Sequence, residues 1–327
     1  MPTIYPDTNI IAYLQEPAAY QDQEWYPALS TIQRYLALPG NNAKVTYSPA
    51  HLSDLRQGYK KDPARAMEKL AFLSRLTHDQ CLSKYIGSTE AIFENRVPAE
   101  FFLTNPDTDD GFYRNNTDKP NLLTAMLSEG RLEGYKDQYF DYAAAEPLLK
   151  ASGVDFKRSQ KDPTRYSLTL DLIENLPALM NETAGYNLVR ALRDKVRPET
   201  GVADKIRGSA DPLTLLTELL PQTVTGARLS GMISPESHHT DDREALIRNC
   251  FMNLDLLGFA SDKLNKDHTL STTTADVAHT YYASHCDIFV TSDTKTGEKA
   301  AAVFRHLKIN SQVFDLAGFA AWALKNS

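Results

Sequence analysis

The stretch DIFVTSD, residues 287–293, decides the fold of this chain. Its apolar and β-branched side chains predict a buried strand over 287–291, and a carboxylate, Asp293, follows that strand at once. Residues 294–307 then have the spacing of an amphipathic helix. A strand that passes through a polar turn into a helix is the repeating unit of a parallel sheet covered by helices.

The same alternation of strands and helices occurs at both ends of the chain, while the middle differs. Residues 61–270 show repeated helical stripes and hardly any strand signal. The sequence therefore predicts an α/β fold with a mainly parallel central sheet, built from both chain ends and interrupted by a large all-helical insertion. Strands are predicted at 3–5, 44–47, 287–291 and 312–314, and helices at 25–36, from Pro49 onward, at 275–284, 294–307 and 316–324.

Composition excludes several classes of protein. With 327 residues, of which 42% are apolar and 24% charged, the chain can bury a sizeable core and is not collagen-like, low-complexity or wholly disordered. The net charge of −7 comes from residues 87–148, which hold twelve acids and five bases. The rest of the chain is electrically balanced, so net charge alone does not indicate a nucleic-acid partner.

The expected compartment follows from the cysteines and the start of the chain. Cys81, Cys250 and Cys286 are odd in number, far apart and not in metal-ligand spacing, which favours a reducing compartment. The first residues, MPTIYPDTNI, lack the basic start and apolar core of a signal peptide. No apolar run approaches the ~18 residues of a membrane span. We therefore expect a cytoplasmic protein without a membrane segment.

Four aspartates are predicted to meet at one edge of the sheet. Residues just after a parallel strand and residues in the first turns of the next helix lie at the carboxyl edge. This argument applies to Asp7, Asp54, Asp276 and Asp293, with Asn9 and Thr291 as polar neighbours.

Grouped carboxylates repel one another unless a cation lies among them. Hard divalent ions such as Mg²⁺ or Mn²⁺ prefer oxygen ligands, and they can activate water and align it with a phosphodiester. The four aspartates are thus candidates both for metal binding and for catalysis.

These residues resemble those of the PIN-domain family. The resemblance lies in DTN at 7–9, the helix-borne acid in SPAHLSDL at 48–55, DVA at 276–278, and DIFVTSD at 287–293. It implies a three-layer α/β/α nuclease domain formed by 1–60 and 271–327, with 61–270 as the helical insertion. The family more often has Glu at the second acidic position, so Asp54 is one methylene shorter.

The resemblance also implies a function. PIN-domain proteins are typically Mg²⁺- or Mn²⁺-dependent ribonucleases, and many are toxins of toxin–antitoxin pairs. Metal binding and catalysis by Asp7, Asp54, Asp276 and Asp293, supported by Asn9 and Thr291, are carried over from it. The expected partners are single-stranded RNA, an antitoxin or another protein, and a second copy of the chain.

Basic residues beside the predicted crevice are candidates for substrate binding. Helical spacing can aim Arg56 and Lys60 in one direction, and Lys295 and Lys299 in another, which would make two basic flanks around an acidic pit. His279 lies one turn after Asp276, but beside two tyrosines we interpret it as a packed residue.

Two other functions stay open. The chain could be a catalytically weak PIN-like module that binds RNA or protein. An insertion larger than its host domain rarely lacks a function, and it could provide the binding surface. A phosphatase is less favoured, since DTN lacks the second aspartate that a haloacid-dehalogenase-type enzyme has two places after its first.

Overall fold

The structure is a computed structural model that describes residues 1–38, 43–85, 88, 90–104, 136–175, 178–179, 183–219, 243–261 and 270–326. Much of the predicted insertion, at 105–135, 220–242 and 262–269, lies outside these residues. Within the described part the chain is mixed α/β and mostly helical.

The strands form two sheets. In chain order they are β1 (Thr3–Pro6), β2 (Lys44–Val45), β3 (Gln80–Ser83), β4 (Ile92–Asn95), β5 (Ile288–Val290) and β6 (Gln312–Phe314). Four of them make a parallel sheet in the order β2-β1-β5-β6, and β3 pairs with β4 in an antiparallel sheet.

Helices account for most of the described chain. They are α1 (Thr8–Gln15), α2 (Tyr26–Ala37), α3 (Pro49–Lys61), α4 (Pro63–Thr77), α5 (Pro98–Thr104), α6 (Tyr142–Ala151), α7 (Lys157–Lys161), α8 (Arg165–Glu174), α9 (Thr183–Thr200), α10 (Ala203–Arg207), α11 (Pro212–Leu219), α12 (Arg243–Leu257), α13 (Leu270–Ala283), α14 (Thr294–His306) and α15 (Leu316–Lys325).

The prediction of a parallel sheet built from both chain ends is confirmed. Ile4 of β1 lies opposite Val45 of β2 and Ile288 of β5, and Val290 lies opposite Phe314 of β6. Each of these pairs joins parallel strands. The N-terminal strand therefore lies in the centre of the sheet, between a segment from the first fifty residues and one from the last forty.

Side chains of the central strands alternate between two cores. Ile4, Ile288 and Val290 belong to a hydrophobic cluster to which α1, α2 and α15 contribute, for example through Phe319. Tyr5 packs against other partners, including the rings of Phe289 in β5, His51 in α3 and His279 in α13. Because neighbouring residues of a strand face opposite ways, the two central strands are covered on both sides.

The prediction that 61–270 is all helical is wrong for β3 and β4. Residues 80–83, with the sequence QCLS, contain no β-branched or aromatic side chain, so they carry no local strand signal. Their conformation comes from tertiary pairing. The Tyr47 amide donates to the Gln80 carbonyl at 3.0 Å, and the Leu82 amide donates to the Tyr47 carbonyl at 2.7 Å.

The chain forms two compact units. The first comprises Met1–Asp109, Thr200–Ser261 and Ala275–Ser327, and the second comprises Asp110–Glu199 and Asp262–Thr274. In the second unit the buried carboxylate of Asp171 in α8 accepts hydrogen bonds from the Ser159 amide at 2.8 Å and the Ser159 hydroxyl at 2.7 Å, which ties α7 to α8.

Two further expectations concern membranes and cysteines. Among the helices that the structure describes, none combines the length and the apolar character needed to cross a bilayer. Cys81, Cys250 and Cys286 are all buried thiols. Their burial raises the pKa of each to about 12, so the reactive thiolate form is scarce at neutral pH.

Candidate functional site

Asp7 and Thr291 lie side by side at the carboxyl edge of the parallel sheet. Pro6, the last residue of β1, is opposite Val290, the last residue of β5. The Asp7 amide donates to the Val290 carbonyl at 2.8 Å. This bond continues the ladder by one residue and brings the two polar turns together.

The Thr291 hydroxyl links two of the predicted aspartates. It donates to Oδ2 of Asp7, which also accepts the Ser292 amide at 3.2 Å. Its oxygen accepts the Asp293 amide at 3.1 Å. One buried hydroxyl thus links both turns at this edge, while a role of Thr291 in metal binding stays a prediction.

Asp7 and Asp293 each begin a helix. Oδ1 of Asp7 accepts the Ile10 amide at 2.8 Å, and Oδ1 of Asp293 accepts the amides of Lys295 and Thr296 at 2.8 and 3.0 Å. Aspartate is a favoured N-cap because it satisfies amides that have no partner within the helix. Asn9, in the first turn of α1, is exposed.

Asp54 reaches the same edge from α3. That helix begins where the sequence predicts, with Ser48 as its N-cap and Pro49 in its first turn. The capping is reciprocal, since Nδ1 of His51 accepts the Ser48 amide at 3.0 Å. Oδ2 of Asp54 then accepts the Thr8 hydroxyl at 2.6 Å and lies 2.9 Å from Nε2 of His279.

Asp276 is the most perturbed carboxylate of the group. It is half-buried in α13, and desolvation by burial raises its pKa to about 7. Lys299 and His279 oppose this shift, whereas the charges of Asp293 and Asp54 add to it. A carboxylate with that pKa is only partly ionised near neutral pH, and it would gain from a nearby cation.

Two more groups have shifted pKa values. Burial raises the pKa of Asp7 above its usual value, although the hydrogen bonds from Thr291 and Ile10 oppose the rise. Burial alone would lower the pKa of His279, but the hydrogen bond and charge of Asp54, with the charges of Asp7 and Asp276, raise it. The charges of three of the four aspartates thus affect the pKa of His279, and the charge of the fourth, Asp293, affects the pKa of Asp276.

The basic candidates have different surroundings. Lys60 is exposed, Lys295 is half-buried, and the half-buried Arg56 has its guanidinium 5.3 Å from the ring centre of Phe102. Lys299 does not fit the prediction of a solvent-facing substrate contact, because it is only 1% exposed.

The reason for the burial of Lys299 is a partner that the sequence pattern does not reveal. Its Nζ lies 3.3 Å from Oδ1 of Asp255 in α12 and 4.5 Å from the ring centre of Phe251. A lysine that is buried needs such an ion pair. Lys299 therefore contributes a fixed positive charge beneath the acidic edge, which favours the ionised form of Asp276.

Carboxylate oxygens suit a hard cation, but several oxygens of the four aspartates already accept hydrogen bonds from protein groups. No group of three or more His, Cys, Asp or Glu side chains within the described ranges has the geometry of a metal centre. Both oxygens of Asp7 accept hydrogen bonds, and Oδ2 of Asp54 accepts from Thr8 and faces His279. By contrast, the carboxylate of Asp276 accepts no hydrogen bond from the residues that the structure describes. Its backbone carbonyl, instead, accepts the Thr280 hydroxyl at 2.7 Å.

No family model, curated protein or solved structure matches this chain. Its function must therefore be argued from the arrangement of its own residues. That arrangement brings four carboxylates, one buried hydroxyl and one buried histidine to the carboxyl edge of a parallel sheet, which is where open α/β sheets bind ligands.

Sequence reasoning missed the contacts of His279, Thr8 and Tyr5. His279 is buried, as its interpretation as a packed residue implies, yet it also faces Asp54 and the Tyr5 hydroxyl. One signal could have revealed it: His279 is three residues after Asp276, so both lie on one face of α13. The role of Thr8 follows from its place beside Asp7, but no local pattern predicts its bond to Asp54.

Proposed function

We propose that this chain is a metal-dependent phosphodiesterase, an endoribonuclease acting on single-stranded RNA, with its active site at the acidic edge. The observation that carries the proposal is the meeting of Asp7, Asp54, Asp276 and Asp293, which come from distant parts of the sequence. The raised pKa of Asp276 supports it. Its main cause is desolvation by burial, with smaller contributions from the charges of Asp293 and Asp54, and a bound cation would stabilise the charged carboxylate.

The proposed roles follow from the environment of each residue. Asp276 and Asp293 would hold Mg²⁺ or Mn²⁺ most directly, because burial leaves the charge of Asp276 poorly solvated and Asp293 uses Oδ1 alone for capping. Asp7 and Asp54 would complete the set. A divalent cation there would supply Lewis-acid activation of water and phosphodiester.

The surrounding residues would orient the carboxylates and the substrate. Thr291 fixes Asp7 relative to the backbone of Asp293. Arg56, Lys60 and Lys295 are proposed to attract the phosphates of RNA, since cationic side chains beside an acidic crevice can hold a polyanion. Asn9, exposed next to Asp7, is proposed as a further polar contact.

The fold and setting complete the proposal. We propose that 1–60 and 271–327 form a three-layer PIN-like nuclease domain, and that 61–270 is inserted into it. An antitoxin or other protein partner, self-association and a cytoplasmic location are proposed with it on the same family resemblance.

The test is cleavage of labelled single-stranded RNA with Mg²⁺ or Mn²⁺, with EDTA, and with Asp293→Asn. Asparagine retains the capping oxygen, so α14 keeps its N-cap while the charge is lost. Asp62→Asn is the matched control, because Asp62 caps α4 in the same way, accepting the Arg65 amide at 3.0 Å. Single-stranded DNA of the same sequence separates ribonuclease from general nuclease activity.

We expect cleavage that needs the metal, survives Asp62→Asn and is lost in Asp293→Asn. Cleavage indifferent to both EDTA and Asp293→Asn would overturn the proposal.

One observation favours a second candidate, a PIN-like module that binds RNA or protein with little turnover. Oδ2 of Asp54 is held by Thr8 and His279, and no preassembled three-ligand centre occurs among the described side chains. Tight RNA binding without cleavage under either ion would favour this candidate.

A further inference from the structure

We propose that His279 is a positioning residue that fixes Asp54 for cation binding. This inference rests on the proposed function and adds a residue to it that lies outside the acidic set. It is carried by a chain of hydrogen bonds that begins at Asp54 and runs into the core through His279 and Tyr5.

The first link of the chain is the contact between His279 and Asp54. Nε2 of His279 lies 2.9 Å from Oδ2 of Asp54. An ionised carboxylate only accepts hydrogen bonds, so Nε2 carries the proton that is shared with it. The His279 side chain is 8% exposed and that of Asp54 is 24% exposed. The histidine, the more buried of the two, therefore contacts the carboxylate from the protein side.

The second link fixes the ring of His279. Its Nδ1 lies 2.9 Å from the hydroxyl of Tyr5, and that hydroxyl lies 2.7 Å from Oγ of Ser48. Tyr5 and Ser48 are both fully buried. With both nitrogens engaged, the ring cannot flip without breaking two hydrogen bonds, so the position of Asp54 is set by β1 and α13.

A second buried histidine shows that this packing is specific. The ring of His51 lies 4.9 Å from that of His279 at 81°, but His51 bonds to Ser48 and to the backbone of Pro6. Its Nδ1 accepts the Ser48 amide, and its Nε2 lies 2.8 Å from the Pro6 carbonyl. Both rings are buried. Of the two, His279 contacts a carboxylate of the acidic edge, whereas the described bonds of His51 go to Ser48 and to the Pro6 carbonyl.

Chain length explains why Asp54 needs a positioning partner. A carboxylate on a helix must be aimed to act on an ion, and Asp54 has only one methylene between its backbone and its carboxyl group. The Thr8 hydroxyl and His279 hold the same oxygen from two elements, α1 and α13. Groups that orient metal ligands in this way typically change metal affinity or activity by 10–100-fold when removed.

The test compares the unmodified protein with four variants. Mn²⁺ binding is measured by electron paramagnetic resonance, and RNA cleavage is measured in parallel. His279→Leu removes both polar contacts, and Tyr5→Phe removes only the hydroxyl that orients the ring. His279→Gln retains a side-chain amide donor, and His306→Gln at the end of α14 is the control. We expect Mn²⁺ affinity to fall by about tenfold in His279→Leu, less in Tyr5→Phe, and to be largely restored in His279→Gln.

The tautomer gives a readout that a purely structural role would not move. In ¹⁵N spectra of histidine-labelled protein, Nε2 of His279 should be protonated, and its signal should shift when the diamagnetic ion Mg²⁺ is added. Unchanged Mn²⁺ affinity and cleavage in folded His279→Leu and Tyr5→Phe, with no shift of that signal, would overturn the positioning role. Absence of Mn²⁺ binding to the unmodified protein would instead overturn the proposed function.

Discussion

Replacing Asp276 with asparagine should stabilise the metal-free protein at alkaline pH. Asp276 has a pKa of about 7 in the folded chain against 3.8 in an unperturbed one. The folded state therefore binds its proton more tightly, and stability falls as pH rises from about 4 to about 7. Above that range Asp276 is ionised in both states, and the unfavourable free energy of its buried charge lowers the stability of the folded state in full. Asparagine carries no charge and avoids this loss.

The magnitude follows from the shift. About three pKa units at 1.36 kcal/mol each give an upper limit of about 4 kcal/mol. Because Asp276 is half-buried, its charged form keeps part of its hydration and the desolvation penalty is smaller than this limit. We expect a gain of about 1–3 kcal/mol near pH 8 and close to none near pH 4. Part of the raised pKa of His279 comes from the charge of Asp276, so that shift is smaller in Asp276→Asn and does not cancel in the difference.

The assay is urea unfolding followed by tryptophan fluorescence at several pH values without divalent ions. The chain has two tryptophans, Trp25 and Trp322, and both lie in the first compact unit, so the signal reports on the unit that contains the site. Asp22→Asn removes one exposed carboxylate and is the control for net charge.

Addition of Mn²⁺ should reverse the order of stabilities. An ion that binds only the folded state stabilises it by about 4.1 kcal/mol at a thousand times its dissociation constant, which exceeds the expected gain of Asp276→Asn. The unmodified protein should gain this and Asp276→Asn much less. A pH-independent difference between the two proteins, or an equal gain from Mn²⁺, would show that repulsion at Asp276 does not drive cation binding.

Three further substitutions test contacts of the fold. Thr291→Val keeps the side-chain shape but removes the hydroxyl that orders the acidic edge, so urea unfolding should show a loss of about 1–3 kcal/mol, with Thr291→Ser close to the unmodified protein. Lys299→Met leaves the carboxylate of Asp255 buried without its ion pair and should cost about 3–5 kcal/mol; if adding Asp255→Leu restores none of this, the ion-pair explanation is wrong. Asp171→Ala should destabilise the second unit by about 1–3 kcal/mol, seen as faster proteolysis around Ser159, and unchanged proteolysis would contradict the role of Asp171 in tying α7 to α8.

The parallel sheet was predictable because its signals are local. Val290 and its neighbours form an apolar run that ends in polar residues, and the helix that follows has an Asp cap. The convergence of Asp7 and Asp293 then follows from topology alone. By contrast, β3 has no strand-forming side chains and depends on Tyr47, which is distant in sequence, so its pairing could not be predicted.

The finer structure of the site depends on contacts between distant segments. Helical spacing placed Lys299 on the same face as Lys295, but it could not show that Asp255 lies opposite and draws the side chain inward. In the same way, nothing near His279 in the sequence indicates Tyr5 as the partner of its Nδ1. Which residues reach an edge can be predicted locally, whereas what holds them there cannot.

The most direct test of the central claim is an anomalous-difference map from a crystal soaked in Mn²⁺. The account predicts a peak within coordination distance, about 2.0–2.3 Å, of carboxylate oxygens of Asp276 and Asp293, with Asp7 and Asp54 around it. A saturating soak that leaves the edge without a peak, while Asp54 still faces His279, would contradict it.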